Sequence, residues 1–227
     1  YYMVGSVVQL ALALLFATIL SFNPKGGSFF RGALYFPSLV CGIAVGFIFK
    51  YFYTHGFVLD SILGLLGIPE DMLPFWLKDT RINNWVLVAS SIWRYMGQNM
   101  VLFIGAIASI DKTQYEAAAI DGANAWHRFR YIILPSIRTI VVLNMILAIS
   151  GSLSVFEIPY VITDGGFGTS TYFVLMDKLA HANQKVGLAS AMAVVLLVLI
   201  LVVSGIQKLA EKKMNFGVRV GKRRARK

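Results

Sequence analysis

Long apolar runs are the feature that most constrains how this chain folds. Several windows exceed the roughly 20 residues that an α-helix needs to cross about 30 Å of hydrocarbon, and charged or turn residues bound each of them. Inside lipid every backbone N–H and C=O needs an internal partner, and the runs lack the alternation of a membrane barrel, so we predict helices. The predicted spans are residues 1–22, 32–53, 84–109, 137–162 and 186–207. The predicted fold class is all-α, a polytopic transmembrane helical bundle with five spans in this chain.

Composition agrees with a membrane protein, since 57% of the residues are hydrophobic and only 14% are charged. The single cysteine, Cys41, excludes an intramolecular disulfide. The three histidines, His55, His127 and His181, fall in three different loops. We interpret them as solvated surface residues and predict no metal site.

The basic residues alternate along the chain in a way that predicts topology. Segments 23–31, 110–138 and 208–227 hold two, four and nine of the 21 Lys and Arg residues, so the positive-inside rule places them in the cytoplasm, and the C-terminus with them. Loops 54–83 and 163–185 are predicted to face outward. The net charge of +10 then reflects topology, and no nucleic-acid partner is predicted.

Five spans that end in the cytoplasm begin outside. Tyr1 is not an initiator methionine, and no signal peptide precedes the first span. We therefore expect at least one further span upstream, which would make the chain the C-terminal part of a subunit that forms a single transmembrane domain over residues 1–227.

The cytoplasmic segment 110–136 is polar and helix-prone, unlike its surroundings. Residues 112–119 have helical character, and Asp121-Gly122 breaks the run. A second amphipathic turn follows, with apolar residues at spacings of three and four: Trp126, Phe129 and Ile133. The charged residues of the segment keep its apolar side out of hydrocarbon, and the short loops cannot cover that side. We therefore expect the segment either to dock on another protein or to lie on lipid headgroups.

One long motif in this segment is specific to a family. The pattern EAA-x3-G-x9-I-x-L-P is complete in Glu116, Ala117, Ala118, Gly122, Ile132, Leu134 and Pro135. It resembles the signature of the membrane subunits of binding-protein-dependent ABC importers. Residues 29–53, 161–176 and 187–199 are similar to the carbohydrate type, exemplified by the maltose transporter membrane subunits. Phe167 departs from the pattern, which usually has proline there.

The resemblance implies a coupling helix between spans three and four that seats on a cytoplasmic ATPase. The coupling residues it implies are Glu116, Ala117, Ala118, Asp121, Gly122, Leu134 and Pro135. ATP and Mg²⁺ would be bound by a dimer of partner ATPase subunits, because the chain has no G-x-x-x-x-G-K-[ST] motif and is not expected to be an enzyme. The other implied partners are a second homologous permease subunit, an extracytoplasmic binding protein and the lipid of a bacterial or archaeal cytoplasmic membrane.

Polar residues within the spans indicate a substrate pathway, because a central charge costs about 2.5–3.5 kcal/mol and usually faces a cavity. Two helical stripes combine polar and small side chains. The first consists of Ser91, Arg94, Tyr95 and Gln98, and the second of Asn144, Gly151 and Ser152, with Glu157 at the outer end. By the resemblance, both stripes align with positions that contact sugar.

Other interpretations of these residues stay open. Gly151 and Ser152 are also typical of helix packing, as are Gly42 and Gly46. Arg94 could snorkel outward or form a structural ion pair with Glu157. It also fits an importer of an acidic saccharide or glycerol phosphate, whereas the main hypothesis is a permease for a sugar or oligosaccharide. A passive channel or a membrane enzyme is the remote alternative.

Overall fold

The computed structural model describes the backbone of residues 1–22 and 24–224 and the side chains of residues 1–22, 24–69 and 71–209. This part of the chain is helical and contains no strand, which confirms the all-α prediction. The helices in chain order are α1 (Tyr2–Ser21), α2 (Gly27–Leu39), α3 (Gly42–Tyr53), α4 (Val58–Leu65), α5 (Asn83–Ala108), α6 (Lys112–Ile120), α7 (Ala125–Arg128), α8 (Leu134–Ser136), α9 (Arg138–Leu153), α10 (Glu157–Thr163), α11 (Tyr172–His181) and α12 (Val186–Arg224). Most of the basic C-terminal run lies outside the described side chains.

Three helical stretches within the described residues are long and apolar enough to cross a membrane, namely Tyr2–Ser21, Arg138–Thr163 and Val186–Leu209. A fourth is added if α2 and α3 are counted as one bent span. Helix α5, at 26 residues, is about 39 Å long. Its polar side chains keep it out of this set, so the count of five spans stays a prediction.

Helices α1 and α5 form the centre of the main hydrophobic core. The buried face of α1 repeats every three or four residues, through Leu10, Ala13, Ala17 and Leu20. It packs against Met100, Phe103 and Ile107 of α5. Two alanines on this face allow the helices to approach closely, which is how apolar helices associate in a membrane.

The predicted second span, residues 32–53, is not one helix. The chain breaks between α2 and α3, where Val40 and Cys41 have extended backbones, and the two helices meet at 99°. Hydropathy cannot detect this break because residues on both sides of it are apolar. The bend lets α2 pack against α5 while α3 packs against α10.

The predicted fourth span, residues 137–162, is also interrupted. Helix α9 ends at Leu153, and α10 begins at Glu157 after a short non-helical stretch. The Thr171 hydroxyl donates to the Val155 carbonyl at 2.7 Å, which satisfies a group freed by the interruption. Such breaks inside a membrane protein are tolerated where protein or a cavity surrounds the backbone.

Gly97 sets the closest approach between α2 and α5. A Cβ atom at this position would lie 1.9 Å from the Leu34 carbonyl oxygen, so Gly97→Ala must push the two backbones apart. We expect a loss of about 1–3 kcal/mol in the free energy of unfolding, typical of overpacking. The melting temperature of the detergent-solubilised protein would measure it.

Gly105→Ala, on the same helix, is the matched control, because nothing lies within 4 Å of a Cβ atom there. Alanine is the better helix former by about 1 kcal/mol. Equal melting temperatures for the two variants would contradict the close approach at Gly97.

Candidate functional site

A cavity of about 650 Å³ lies between α1, α5, α9 and the break that leads to α10. Its lining includes all eight residues predicted for the substrate pathway, namely Ser91, Arg94, Tyr95, Gln98, Asn144, Gly151, Ser152 and Glu157. The two helical stripes therefore face one space. The role of these residues in binding a transported molecule stays a prediction.

The small residues divide between packing and the cavity. Gly42 and Gly46 are packing positions, because a Cβ atom at either would collide with side chains of neighbouring helices. Gly151 has nothing within 4 Å of its Cβ position and lines the cavity. The helix-packing interpretation is therefore right for the first two glycines, whereas Gly151 leaves the cavity wide.

Arg94 and Glu157 form an ion pair at one end of the cavity. The Arg94 side chain is 12% exposed and that of Glu157 is 44% exposed. Arg94 Nη1 also donates to the Tyr95 hydroxyl at 3.0 Å, and its guanidinium lies 4.8 Å from the centre of the Tyr95 ring. Of the alternatives left open for Arg94, the structure shows the ion pair.

The ion pair packs against the backbone at Gly42, where a larger residue would collide with it. A Cβ atom at Gly42 would lie 1.6 Å from Glu157 Oε2 and 2.2 Å from Arg94 Nη1. Gly42 is the first residue of α3 and follows the bend in the second span. The pair therefore ties α5 and α10 to the start of α3.

Polar side chains of the two stripes donate their hydrogens to their own helices. The Ser91 hydroxyl donates to the Leu87 carbonyl at 3.2 Å, and the Asn144 amide donates to the Ile140 carbonyl at 3.0 Å. Ser152 does the same with the carbonyl three residues earlier, at 2.7 Å. Each of these side chains keeps an oxygen that can accept a hydrogen bond.

Helix α1 supplies cavity residues that sequence analysis missed. Ser6 and Gln9 each have only 8% of their surface exposed, and both line the cavity. The Gln9 amide makes no hydrogen bond to any residue that the structure describes. The feature of the sequence that points to the cavity is a glutamine inside a mainly apolar span.

Residues 111–136 form a helical knob. The Asp111 side chain caps α6 by accepting from the Thr113 N–H at 3.0 Å, and Gly122 makes the bend at a φ of +70°. Asn124 then caps α7 by accepting from the His127 N–H at 2.9 Å. The two helices and the bend lie where the sequence predicts them.

The implied coupling residues lie mainly on the surface of the knob. Glu116, Ala117, Asp121, Gly122 and Pro135 are exposed. Ala118 and Leu134 are half-buried. The largest exposed apolar side chains of the knob are Ile120, Trp126 and Tyr131.

The prediction that the whole apolar side of the second turn is left uncovered is wrong. Ile133 is fully buried, and Phe129 and Tyr115 pack against the same core cluster as α1 and α5. The reason lies in the backbone, since residues Phe129–Ile133 form a π-helical turn just before Pro135. Proline cannot sit in a regular helix interior without displacing the preceding turn, and the wider turn directs Ile133 inward.

A second polar cluster orders loop 54–83. Asp60 is 1% exposed and accepts hydrogen bonds from the Gly56 N–H and from the Trp76 indole, both at 2.7 Å. His55 Nδ1 lies 2.8 Å from Asp60 Oδ2, so the prediction of a solvated surface histidine is wrong for His55. Burial alone would raise the pKa of Asp60, but these donors and the His55 charge hold it below its ordinary value.

Comparison with known proteins identifies the family of this chain. The family model described as "Binding-protein-dependent transport system inner membrane component" matches residues 9–216. The chain belongs to this family. The resemblance carried by the EAA motif is thereby confirmed, and membership together with the apolar helices indicates a multi-pass inner-membrane protein.

Two curated relatives illustrate the family. The probable ABC transporter permease protein YesP of Bacillus subtilis is 30% identical over 205 residues, which are 88% of this chain and 65% of YesP. The probable starch degradation products transport system permease protein AmyD of Thermoanaerobacterium thermosulfurigenes is 31% identical over 182 residues, covering 79% of this chain and 61% of AmyD. The chain thus spans less than two thirds of the length of these relatives.

A solved structure shares the fold. A chain in the crystal structure of a bacterial alginate ABC transporter, in complex with an alginate pentasaccharide-bound periplasmic protein, superposes with a TM-score of 0.84 at 20% identity. The match covers 94% of this chain and 76% of that chain.

Phe167, the departure from the family pattern, has a clear structural consequence. Its φ is +53°, a value that the proline ring forbids, and its carbonyl accepts a hydrogen bond from the buried Asn83 amide at 2.7 Å. Loop 163–185 is therefore held to the start of α5 by a contact that proline at position 167 could not reproduce in the same backbone conformation.

Replacement of Asp60 should make the stability of the protein less dependent on pH. The folded-state pKa of Asp60 is lowered, so its stabilisation is complete above the ordinary pKa of about 3.9 and is lost as pH falls through the folded-state value. We expect Asp60→Asn to lower the melting temperature at neutral pH and the difference from the original protein to shrink in acid.

Asp71→Asn is the control, because Asp71 is an exposed acid in the same loop. Its melting temperature should follow that of the original protein at every pH. A deficit of Asp60→Asn that stays constant from neutral to strongly acidic pH would contradict the assignment.

Proposed function

We propose that this chain is the membrane-spanning permease subunit of an ATP-driven importer that translocates a sugar or oligosaccharide delivered by an extracytoplasmic binding protein. Family membership supports the transport function, and the name of AmyD supports a saccharide. A cavity lined by hydroxyls, amides and a tyrosine suits a polyol, which offers many hydrogen-bonding edges.

The proposal rests on one observation: one side of the knob is exposed, and the other side packs into the main hydrophobic core. Ile133 of the knob and Ile137, which directly follows the knob, are buried in the same cluster as residues of α1 and α5, the helices that line the cavity. Glu116 and Trp126, on the free side of the knob, are exposed. A force applied to the free side is therefore transmitted to the helices around the cavity through packed side chains.

The knob is proposed to be the coupling helix that binds a cytoplasmic ATPase. Its exposed acid and aromatic side chains offer a charged contact, at Glu116, and an apolar contact, at Trp126. The bend at Gly122 is stabilised by the Ala123 N–H, which donates to the Ala118 carbonyl at 2.8 Å. These internal bonds make the knob rigid enough to act as a lever.

The topology and partners follow from this assignment. Five spans place the knob and the C-terminus in the cytoplasm. ATP and Mg²⁺ are bound by two partner ATPase subunits, and this chain makes no covalent change in the saccharide. Because one knob engages one ATPase subunit, a second and related permease is proposed to complete the pair.

The transport cycle is proposed to be alternating access. When the ATPase pair closes on ATP, the knobs move and the helices reorient around the cavity. The breaks between α2 and α3 and between α9 and α10 are the places where rigid segments can change their relative angle. The second break lines the cavity, so a change of angle there reshapes the space around the saccharide.

Reversal of the charge at Glu116 tests the contact with the ATPase. Glu116→Lys changes an exposed residue, so the permease should fold normally while its affinity for the nucleotide-binding subunit falls at least about thirtyfold, which corresponds to the low end of the roughly 2–5 kcal/mol typical of a disrupted charged contact. Co-purification of the nucleotide-binding subunit with the tagged permease gives the readout.

The matched control is Asp71→Lys, the same reversal on the outward loop. It should leave co-purification unchanged. Equal recovery of the nucleotide-binding subunit with both variants would contradict the assignment of the knob as the docking site.

A further inference from the structure

The charges that line the cavity cancel each other. Among the described residues, Arg94 and Glu157 are the two charged residues of the lining. They pair with each other, and Arg94 makes its further contacts to Tyr95. The Arg94 side chain is 12% exposed, so a carboxylate that enters the cavity meets a cation that is already paired with Glu157.

An acidic ligand would have to break this pair. A second carboxylate near Arg94 would compete with Glu157 and be repelled by it, since like charges close together in a poorly solvated site disfavour each other strongly. Displacing Glu157 would also leave a partly buried carboxylate without its partner. Both effects oppose binding of a uronate.

The uncharged polar groups favour the opposite kind of ligand. Ser91 and Ser152 donate their hydroxyl hydrogens to helix carbonyls, and Asn144 donates one of its two amide hydrogens in the same way. All three present oxygens that accept hydrogen bonds, and Asn144 keeps one N–H. The amides of Gln9 and Gln98 have no hydrogen-bonding partner within the described part of the chain and can both donate and accept. Sugar hydroxyls also donate and accept, whereas a carboxylate only accepts, so hydroxyls match this set better.

We propose that Glu157 sets the charge selectivity of the cavity: by holding Arg94, it makes the site accept uncharged saccharides and reject acidic ones. This inference rests on the proposed function and specifies the substrate class of the same site. The structural likeness to the alginate transporter does not oppose it, because at 20% identity the likeness shows the fold alone.

Two trisaccharides, one neutral and one anionic, test the inference. The assembled complex, with its ATPase subunits and partner permease, is titrated with maltotriose and with trigalacturonate, and saturation-transfer NMR measures both affinities. We expect maltotriose to bind at least tenfold more tightly. In Glu157→Gln, which frees Arg94, the ratio of the two affinities should shift at least tenfold in favour of trigalacturonate.

Two further variants separate selectivity from damage to the fold. The double variant Arg94→Gln with Glu157→Gln removes both charges and should keep the preference for maltotriose. Asp164→Asn, which changes an outer acid paired with Lys178 and absent from the cavity lining, should behave like the original protein.

Several outcomes would overturn the inference: equal binding of the two trisaccharides by the original complex, an unchanged ratio in assembled Glu157→Gln, or tight trigalacturonate binding by the double variant. If the original complex binds neither trisaccharide nor any other saccharide, the proposed function fails instead. The two failures are therefore distinguishable.

Discussion

The contact between Arg94 and Glu157 is the interaction on which the arrangement around the cavity depends. A charge within a membrane protein is costly unless it is paired, and this pair joins α5 to the beginning of α10. Gly42 lies directly beneath it, so the start of α3 is held in the same place. Pairs of this kind often add little net stability, but the loss of one partner is costly, so the pair fixes which helices meet.

The interrupted helices follow from the same constraint. A straight second span could not pack α2 against Gly97 of α5 and also place Gly42 beneath the ion pair. The polar backbone at the break between α9 and α10 is tolerated because the cavity adjoins it and the Thr171 hydroxyl donates to the Val155 carbonyl.

Sequence analysis predicted the parts of this structure that depend on periodicity and composition. The two stripes face one cavity because residues three and four apart lie on the same side of a helix, which holds for Ser91, Arg94 and Gln98 whatever surrounds them. The bend of the knob was predictable because Asp121-Gly122 ends a helix-prone run and Gly122 tolerates a positive φ, whereas the caps Asp111 and Asn124 are seen in the structure.

The remaining features depend on contacts between distant parts of the chain. The breaks in the second and fourth spans were missed because hydropathy measures composition and is insensitive to backbone direction. The inward direction of Ile133 depends on a π-helical turn, and the burial of Asp60 depends on Trp76, 16 residues away. Gln9 was missed because one polar residue hardly changes the hydropathy of a span.

We propose that the energy for transport comes from a partner ATPase that binds the knob. Transport into proteoliposomes tests this most directly, with the complete complex, a labelled saccharide held by the cognate binding protein outside, and ATP trapped inside. The account predicts accumulation above the external concentration that stops when ATP is replaced by a non-hydrolysable analogue. Equilibration of the saccharide at the same rate without ATP would contradict it and indicate a passive channel.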